Sequence, residues 1–398
     1  MGFDWLLGLL SAIAAIPALM LAFEVALALR RSGSKEGGNA PVRDPATRLA
    51  VIMPAHNEQA GIARSLESIL EQLLPGDRLV VVADNCTDET AAIARALGAV
   101  TLERSDSQRR GKGFALAHAV DYLRNNEPPS FVVAIDADCI LEKGCLAHLI
   151  HDCGSSGRPL QARYLLTGSA SAAQAVSELA FRIRNWVRPL GLSTFGSPVP
   201  LQGSGMAFPW AVISGAPLAS GSIIEDMALG VDLTCAGIWP GFCPDARVLS
   251  SFPGTEAGRM LQRQRWEHGQ LSLLPRSVLR LIAAGGRQRS LGPIALALNL
   301  AVPPLSAYLA LLGALVLIGT AALLLGASGW PLAVSAFGLC LTCVSLWMAW
   351  MRFGQDLLTP RDTLTALPYA LRKLPMYVRY FFRRHREWNR AERPDQRQ

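Results

Sequence analysis

Two aspartates one residue apart, Asp136 and Asp138, follow an apolar run from Phe131 to Ile135. The run has the length and the β-branched residues of a strand buried on both faces. A strand that ends in two carboxylates places hard oxygen donors at the carboxyl edge of a sheet, where α/β folds bind their ligands. Mg²⁺ is held in proteins by one or two carboxylates together with substrate phosphates. The pair therefore predicts a divalent-cation site; an Asp-rich turn that binds nothing is the alternative.

Other acids follow the ends of further predicted elements. Glu58 comes after the first predicted strand, Asp84 after the second, and Glu225-Asp226 stand at the head of an apolar helix predicted over Met227 to Leu233. Group transfer from a nucleotide diphosphate needs a pocket for base and ribose, a cation for the leaving diphosphate, and a base for the incoming hydroxyl. Strand-end carboxylates suit the first two needs, and a helix carboxylate suits the third. Stabilisation of the helix start without chemistry is the competing interpretation of Asp226.

A basic, glycine-flanked segment opens another predicted helix. Arg109-Arg110-Gly111-Lys112-Gly113 precedes the helix predicted over Phe114 to Leu123. Such a helix start offers backbone N–H groups and cationic side chains to an anion such as a diphosphate. A solvated basic surface is the alternative.

These residues are spaced along an alternating pattern of strands and helices. Strands are predicted over 48–54, 78–83 and 131–135, with helices at 62–73 and 87–97 between them. This alternation predicts an α/β domain with a mainly parallel, Rossmann-like sheet and right-handed crossovers.

The N-terminal segment is apolar and long enough to cross a bilayer. Trp5 to Leu29 comprises 25 residues with one charge, Glu24, and Arg30 and Arg31 follow it. The positive-inside rule places the N-terminus outside and the chain after residue 30 in the cytoplasm. Glu24 is expected to snorkel toward the cytoplasmic side.

A second apolar region lies near the C-terminus. Leu291 to Met351 is a run of 61 residues without Asp, Glu, Lys, Arg or His, enough for two spans with an outer turn at Gly326 to Pro331. Beyond Arg352, ten Lys and Arg residues against five acids predict a basic interfacial tail. Residues 258–290 are predicted to form a pair of interfacial helices. Residues 155–200 fit equally a segment against lipid headgroups or an acceptor, and a buried helix with a charged outer face.

The composition limits the class of protein. Hydrophobic residues make up 51% of the 398 residues, which is too many for an ordinary soluble protein. The eight cysteines show no metal-finger spacing in the polar region, and free thiols suit a reducing cytosolic face. The formal charge of +7 comes from basic residues beside apolar segments. It favours a membrane surface and an anionic substrate over nucleic acid.

Residues from about 48 to 270 resemble the membrane-bound members of glycosyltransferase family 2, which have the GT-A fold. These include cellulose, chitin and hyaluronan synthases and ceramide glucosyltransferases. Six stretches match in the family's order: PAHNE (54–58), VVADNCTDET (81–90), GKG (111–113), DAD (136–138, a DXD motif), ED (225–226) and QRQRW (262–266). The chain is thus predicted to comprise a transmembrane helix (1–30), a linker (31–47), a GT-A domain (48–257), interfacial helices with QRQRW (258–290), two transmembrane helices (291–352) and a basic cytoplasmic tail (353–398).

The resemblance implies how the donor is bound. Glu58 and Asp84 would contact the uridine part of a UDP-sugar, and Lys112 a phosphate. Asp136 would lie near ribose and diphosphate and, with Asp138, at a Mg²⁺ or Mn²⁺ ion. The family usually places two acids before the second helix, whereas this chain has Ala83-Asp84 there.

The resemblance also implies how the acceptor is activated. Asp226 would take a proton from the acceptor hydroxyl, and Trp266 would stack on the acceptor sugar. Transfer would invert the anomeric configuration in one displacement. Diphosphate or acceptor would be bound by a polar set: Glu225, Gln262, Arg263 and Arg265.

The predicted protein is a metal-dependent glycosyltransferase of the inner (plasma) membrane, acting on a lipid-linked or saccharide hydroxyl in glycolipid or exopolysaccharide biosynthesis. A processive polysaccharide synthase is the first alternative, because QRQRW is associated with processive members. Two C-terminal spans are few for a channel, so extrusion would require an export partner or a homo-oligomer. The second alternative is an inactive saccharide-binding assembly subunit, whose signature would be loss of the acids; all are present.

Overall fold

The computed structural model describes residues 2–31, 40–220, 224–252 and 255–365. They fall into two compact units. The sheet unit contains the described residues of 40–168 and 197–269, and the helical unit contains those of 2–31, 169–196 and 270–365.

Strands within the described residues form one eight-stranded sheet in the order β3-β2-β1-β4-β7-β6-β8-β5. Their bounds are β1 Leu49–Ala55, β2 Arg78–Asp84, β3 Val100–Arg104, β4 Phe131–Ala134, β5 Cys139–Leu141, β6 Leu160–Thr167, β7 Met206–Pro209 and β8 Gly241–Ser251.

Helices occur in both units: some belong to the sheet unit, and the others make up the helical unit. Their bounds are α1 Gly2–Arg31, α2 Ile62–Leu70, α3 Thr90–Ala96, α4 Lys112–Asn125, α5 Cys145–Ser156, α6 Ala172–Arg182, α7 Arg188–Thr194, α8 Trp210–Ile213, α9 Glu225–Cys235, α10 Glu256–Gln288, α11 Gly292–Ala301, α12 Leu305–Leu324 and α13 Trp330–Phe353. A π-helical segment, Ile183–Val187, joins α6 to α7.

The predicted α/β fold with a mostly parallel sheet is confirmed. Strands β3, β2, β1 and β4 are parallel neighbours. The other half is mixed: β7 is antiparallel to β4 and β6, β6 is parallel to β8, and β5 is antiparallel to β8. The predicted strands therefore correspond to the parallel half, whose carboxyl ends carry Glu58, Asp84 and Asp136.

The core of the sheet unit explains why these strands are so apolar. Ile52, Val82 and Val132 of neighbouring strands are almost fully buried and belong to one cluster with Leu123 of α4 and Leu229 of α9. Each side chain of this size contributes about 1.5–3 kcal/mol when fully buried. This packing fixes α4 and α9, the two helices whose first residues carry Lys112 and Glu225-Asp226, on the sheet.

Three helices of the helical unit, α1, α12 and α13, are long and apolar enough to cross a membrane. Large apolar side chains on them are exposed, including Trp5 (70%), Leu317 (72%) and Trp347 (58%). A surface of this kind suits lipid. The predicted single N-terminal and paired C-terminal apolar helices are confirmed, and the turn between the pair falls at 325–329.

The expectation that Glu24 snorkels is wrong. Its side chain is fully buried in the helical unit, and its carboxylate accepts hydrogen bonds from Arg188 Nε (2.6 Å) and from the side-chain amide of Asn299. Arg188 also donates to the carbonyl oxygen of Asn299 at 2.6 Å. A carboxylate with a buried guanidinium partner stays inside because pairing offsets part of the cost of desolvation.

Residues 172–194, within the 155–200 region, agree in part with the second alternative that the sequence left open, a buried helix with a charged outer face. Ile183, Val187 and Leu190 are buried, but so is Arg188. The arginine at 182 forms an ion pair with Asp356 at 2.7 Å. The segment is thus a largely buried helical stretch in which Arg182 and Arg188 form ion pairs within the helical unit.

The region after residue 255 also differs from prediction. The expected pair of interfacial helices is one helix, α10, which continues through Pro275. The uncharged region contains an additional short helix, α11. Pro303 and Pro304 interrupt the helical structure between α11 and α12, because proline disfavours continuation of a helix from the preceding residues. The linker at 31–47 is described from residue 40 onward, and the tail is described to residue 365. The rest of both, including the basic residues from Arg372, lies outside the described residues.

Candidate active site

The turn after β4 carries Asp136 and Asp138 and is anchored on three sides. The backbone N–H of Asp136 donates to Ser204 Oγ at 3.1 Å, and its carbonyl oxygen accepts from the N–H of Cys139 at 3.0 Å. Ser65 of α2 donates its hydroxyl to the carbonyl oxygen of Ala137 at 2.8 Å. Both carboxylates are half-buried. The sheet therefore presents them as a fixed pair at its carboxyl edge.

A glycine-containing loop, residues 202–205, faces this turn. Gln161 of β6 is fully buried; its amide nitrogen donates to the carbonyl oxygen of Ser204 at 2.8 Å, and its amide oxygen accepts from the N–H of Gln202 at 2.8 Å. The N–H of Gly205 donates to the carbonyl oxygen of Ala134 in β4 at 3.0 Å. Gly203 has a φ of +91°, which favours glycine.

Gly203 is the point where the acids converge. A Cβ atom placed on it would lie 3.1 Å from Asp226 Oδ2, 3.4 Å from Lys112 Nζ and 3.7 Å from Asp136 Oδ2. The carboxylates of Asp136 and Asp226, ninety positions apart, therefore face one small space. The sequence predicts this convergence, and the structure brings the two residues together.

Lys112 is the cationic member of this group. Its Nζ donates to the carbonyl oxygen of Gly203 at 2.7 Å and forms an ion pair with Asp136. Burial by itself would lower the pKa of Lys112, but the charges of Asp136, Glu225 and Asp226 outweigh burial and raise it. Lys112 is therefore charged at every physiological pH.

Glu225 and Asp226 begin α9, where the helix dipole favours negative charge. Burial and the neighbouring charge of Asp226 raise the pKa of Glu225 to about 7, although Lys112 acts in the opposite direction. Glu225 thus exchanges its proton near neutral pH.

Three side chains offer atoms that could hold a cation. Oxygen atoms of Asp136 and Asp138 and the sulfur of Cys139 all lie within 4.8 Å of one another. The two carboxylates are a hard donor pair of the type that Mg²⁺ and Mn²⁺ use with substrate phosphates. Burial and the charges of Asp138 and Asp136 hold the pKa of the Cys139 thiol well above its usual value. The residues present therefore fit a divalent cation held chiefly by the carboxylates.

The loops after β1 and β2 form a second part of the candidate site. Asp84 is buried at the end of β2 and accepts from Arg104 Nη1 at 2.6 Å. The carbonyl oxygen of Asp84 lies 2.7 Å from Nδ1 of His56. Glu58 donates its backbone N–H to Thr90 Oγ1 at 2.7 Å. Glu58 and Asp84 therefore lie at the carboxyl ends of two neighbouring parallel strands, β1 and β2.

The QRQRW motif lies on the first half of α10, within the sheet unit. A Cβ atom on Gly269 would lie 2.8 Å from Ile224, the residue before Glu225, so α10 packs against the start of α9. Arg265 and Trp266 precede Gly269 by four and three positions and so share its helical face. Gln262, Arg263, Arg265 and Trp266 are all half-buried.

Sequence reasoning missed four residues of this site. Gln161 and Arg104 stand in strands, where an isolated polar residue gives no sign of what it contacts. Ser204 lies in the glycine-containing loop 202–205, and Cys139 directly follows the DXD motif. The partners of Gln161, Arg104 and Ser204 are distant in sequence, so the available signal was the position of Cys139 next to the DXD motif.

The mixed, mostly parallel sheet is of the GT-A type, and it presents carboxylates and a lysine at its carboxyl edge. The chain belongs to glycosyltransferase family 2: residues 45–269, more than half of its length, match the family described as "Glycosyltransferase like family 2".

One relative is 4,4'-diaponeurosporenoate glycosyltransferase of Staphylococcus aureus (strain MRSA252). It is 35% identical over 104 residues, which cover 26% of this chain and 27% of that protein. The chain thus spans about a quarter of the length of the curated relatives it matches.

Two solved structures are similar to this chain. The mannosyltransferase PcManGT from Pyrobaculum calidifontis, in complex with GDP-Man and Mn²⁺, has a TM-score of 0.55 at 19% identity, covering 94% of this chain and 100% of that chain. At this identity the likeness shows the fold. Glucosyl-3-phosphoglycerate synthase from Mycobacterium tuberculosis, in complex with Mn²⁺, UDP and phosphoglyceric acid, has a TM-score of 0.41 at 21% identity, covering 59% and 84%.

Proposed function

We propose that this chain is a membrane glycosyltransferase that moves a sugar from a UDP-sugar to a hydroxyl of a lipid-linked or saccharide acceptor. The observation that carries the proposal is the convergence of Asp136, Lys112 and Asp226 around Gly203, each within 4 Å of one point. A carboxylate for a metal, a cation for a diphosphate and a carboxylate for a hydroxyl proton are the groups that this reaction needs.

Asp226 is the proposed general base. It takes the proton of the acceptor hydroxyl while the oxygen attacks the anomeric carbon of the donor sugar. The bond from that carbon to the diphosphate oxygen breaks in the same displacement, so the nucleoside diphosphate leaves and the configuration inverts. Asp226 is assigned this role rather than its neighbour Glu225 because Asp226 Oδ2 faces Gly203 together with Lys112 and Asp136.

The donor is proposed to lie along the carboxyl edge of the parallel strands. Asp136 and Asp138 would hold Mg²⁺ or Mn²⁺, which neutralises charge on the leaving diphosphate when bound. Lys112 contacts the same diphosphate. Glu58 and Asp84 are proposed to bind the uridine part, and their position at the carboxyl ends of the neighbouring strands β1 and β2 supports this assignment.

The acceptor is proposed to approach from α9 and α10. Packing of α10 on Ile224 brings the helical face of Arg265 and Trp266 toward the start of α9, which supports their assignment, with Glu225, Gln262 and Arg263, to acceptor or diphosphate binding. Three membrane-length apolar helices support a membrane-associated acceptor. We place the protein in the inner membrane with the sheet unit in the cytoplasm, because Arg30 and Arg31 stand at the C-terminal end of α1.

The proposal is tested by measuring sugar transfer by the detergent-purified protein, in Mn²⁺ or Mg²⁺, from each of a panel of labelled nucleotide-sugar donors. The panel includes UDP-sugars and also GDP-mannose, because the similar structure of PcManGT is a complex with GDP-Man. Acceptors include lipid extracts, oligosaccharides and, after the relative's name, 4,4'-diaponeurosporenoate. We expect one nucleotide sugar to be consumed with a divalent cation and not in a chelator. Donor consumption that persists unchanged in Asp138→Ala would contradict the metal assignment.

The Asp226→Asn variant tests the base. We expect about 10²- to 10⁴-fold slower transfer with donor affinity retained, because the amide cannot accept the hydroxyl proton. Asp121→Asn, an exposed aspartate on α4, is the matched control and should transfer at the normal rate. Normal transfer by a folded, donor-binding Asp226→Asn protein would remove Asp226 from the mechanism.

A processive synthase is the second candidate, favoured by the half-buried QRQRW motif on α10 beside α9. The length of the labelled product separates the two: a single transfer gives acceptors extended by one sugar, whereas a processive enzyme gives long chains early in the reaction. Secretion of such chains would require an export partner or a homo-oligomer.

A further inference from the structure

We infer that Lys112 competes with the divalent cation for Asp136 and so makes cation binding depend on the nucleotide diphosphate. The inference rests on the proposed function and adds a regulatory step to the same site. Lys112 acts here as a positioning residue in addition to its proposed phosphate contact.

Lys112 is held at the candidate site by contacts to two loops. Its ammonium group contacts the carboxylate of Asp136 and donates to the carbonyl oxygen of Gly203, so two acceptors on two different loops fix it. Its side chain is 17% exposed and that of Asp136 is 29% exposed. Water therefore screens this ion pair less than a surface pair.

Asp136 is shared between Lys112 and the candidate cation site. The same carboxylate belongs to the donor set with Asp138 that fits a divalent cation. A divalent cation held by Asp136 and Asp138 and the ammonium group of Lys112 would both contact the carboxylate of Asp136. The two positive charges would then be close enough to repel each other. The lysine therefore weakens binding of the cation when no further negative charge is present.

The nucleotide diphosphate of the donor changes the relation between Lys112 and the cation. A diphosphate adds negative oxygen atoms that both the cation and Lys112 attract, which turns their competition for Asp136 into joint binding of one anion. Because coupling between two ligands is reciprocal, the nucleotide then strengthens cation binding as much as the cation strengthens nucleotide binding. Lys112 thus biases the site toward binding cation and nucleotide together.

The experiment measures Mn²⁺ binding by electron paramagnetic resonance of free Mn²⁺, with and without UDP and, separately, GDP. In the unmodified protein we expect the nucleotide to tighten Mn²⁺ binding about tenfold or more. In Lys112→Met we expect tighter Mn²⁺ binding without nucleotide and a coupling factor reduced toward one. Lys112→Arg keeps the charge and should preserve the coupling, and Lys143→Met, an exposed lysine of the sheet unit, should leave both values unchanged.

Two results would overturn the inference: unchanged or weaker Mn²⁺ binding by Lys112→Met without nucleotide, or undiminished coupling in that variant. Lys112→Gln provides a second neutral variant should Lys112→Met fail to fold, as judged by its thermal unfolding. Failure of the proposed function looks different, since the unmodified protein would then bind neither nucleotide in the presence of Mn²⁺.

Discussion

At the scale of single residues, the candidate site combines four acidic side chains with one lysine, Lys112. Asp136, Asp138, Glu225 and Asp226 are half-buried near one another, and the site lowers the resulting repulsion in two ways. Lys112 pairs with Asp136, and Glu225 keeps its proton to a higher pH than an exposed glutamate does. Asp226 and Asp136 are the two carboxylates that face Gly203, and of these Asp136 is paired with Lys112.

The raised pKa of Glu225 predicts a specific dependence of stability on pH. The folded-state pKa of about 7 lies above the ordinary value of 4.5, so between these values the folded protein binds a proton that the unfolded chain has lost. The contribution of this group to the free energy of unfolding is complete below pH 4.5 and is lost as the pH rises through 7. We expect Glu225→Gln, which cannot ionise, to raise the melting temperature relative to the unmodified protein at pH 8 and much less at pH 5.

This difference is measured by thermal unfolding of the detergent-purified protein in a chelator, which keeps divalent cations from masking the effect. Glu71→Gln, at an exposed glutamate after α2, is the control and should shift the melting temperature equally at both pH values. A Glu225→Gln protein whose advantage does not grow with pH would show that Glu225 titrates as an ordinary carboxyl group.

At the scale of elements, β6 supports the loop on which the acids converge. The amide of Gln161 bonds both sides of the loop, at Gln202 and Ser204, and Ser204 in turn accepts from the backbone of Asp136. One buried side chain thus connects a strand of the mixed half of the sheet to the strand end of the parallel half. The loop geometry, including the φ of +91° at Gly203, depends on this connection.

Gln161→Leu is predicted to impair transfer and stability together. Leucine fits the buried position but leaves the carbonyl oxygen of Ser204 and the N–H of Gln202 without that partner, at about 1–3 kcal/mol for each unsatisfied group. We expect a lower melting temperature and, at temperatures where the variant stays folded, a reduced rate of transfer with nucleotide affinity retained. Gln355→Leu, at an exposed glutamine after α13, is the control. Full transfer activity in folded Gln161→Leu would show that the loop keeps its geometry without the amide.

The elements also show where sequence patterns suffice. The parallel half of the sheet is predictable because β1, β2 and β4 are apolar runs ended by polar residues, and each is buried on both faces. The mixed half is not, because β6 and β8 contain arginines and glutamine whose partners are distant in sequence. For the same reason DAD and ED could be marked from the sequence, whereas their common neighbour at Gly203 required the fold.

At the scale of the whole molecule, the helical unit carries its own buried polar centre. Glu24 of α1, Arg188 of α7 and Asn299 of α11 meet there, although they are separated by more than a hundred residues along the chain. Sequence alone shows a charge in an apolar segment and predicts snorkelling, since the partner that makes burial tolerable is identifiable only in the folded chain. The centre joins three helices from three separate parts of the sequence.

This centre predicts strongly non-additive mutations. Arg188→Met or Glu24→Leu alone leaves an uncompensated buried charge, which costs about 3–5 kcal/mol, whereas removing both charges costs less than the two single changes together. Thermal unfolding of the two single variants and the double variant in one detergent measures the coupling. Arg352→Met, at an exposed arginine of α13, is the control and should lower the melting temperature little. If the effects of the single changes simply added in the double variant, Glu24 and Arg188 would not act as a pair, and the join between α1 and α7 would have to depend on apolar packing.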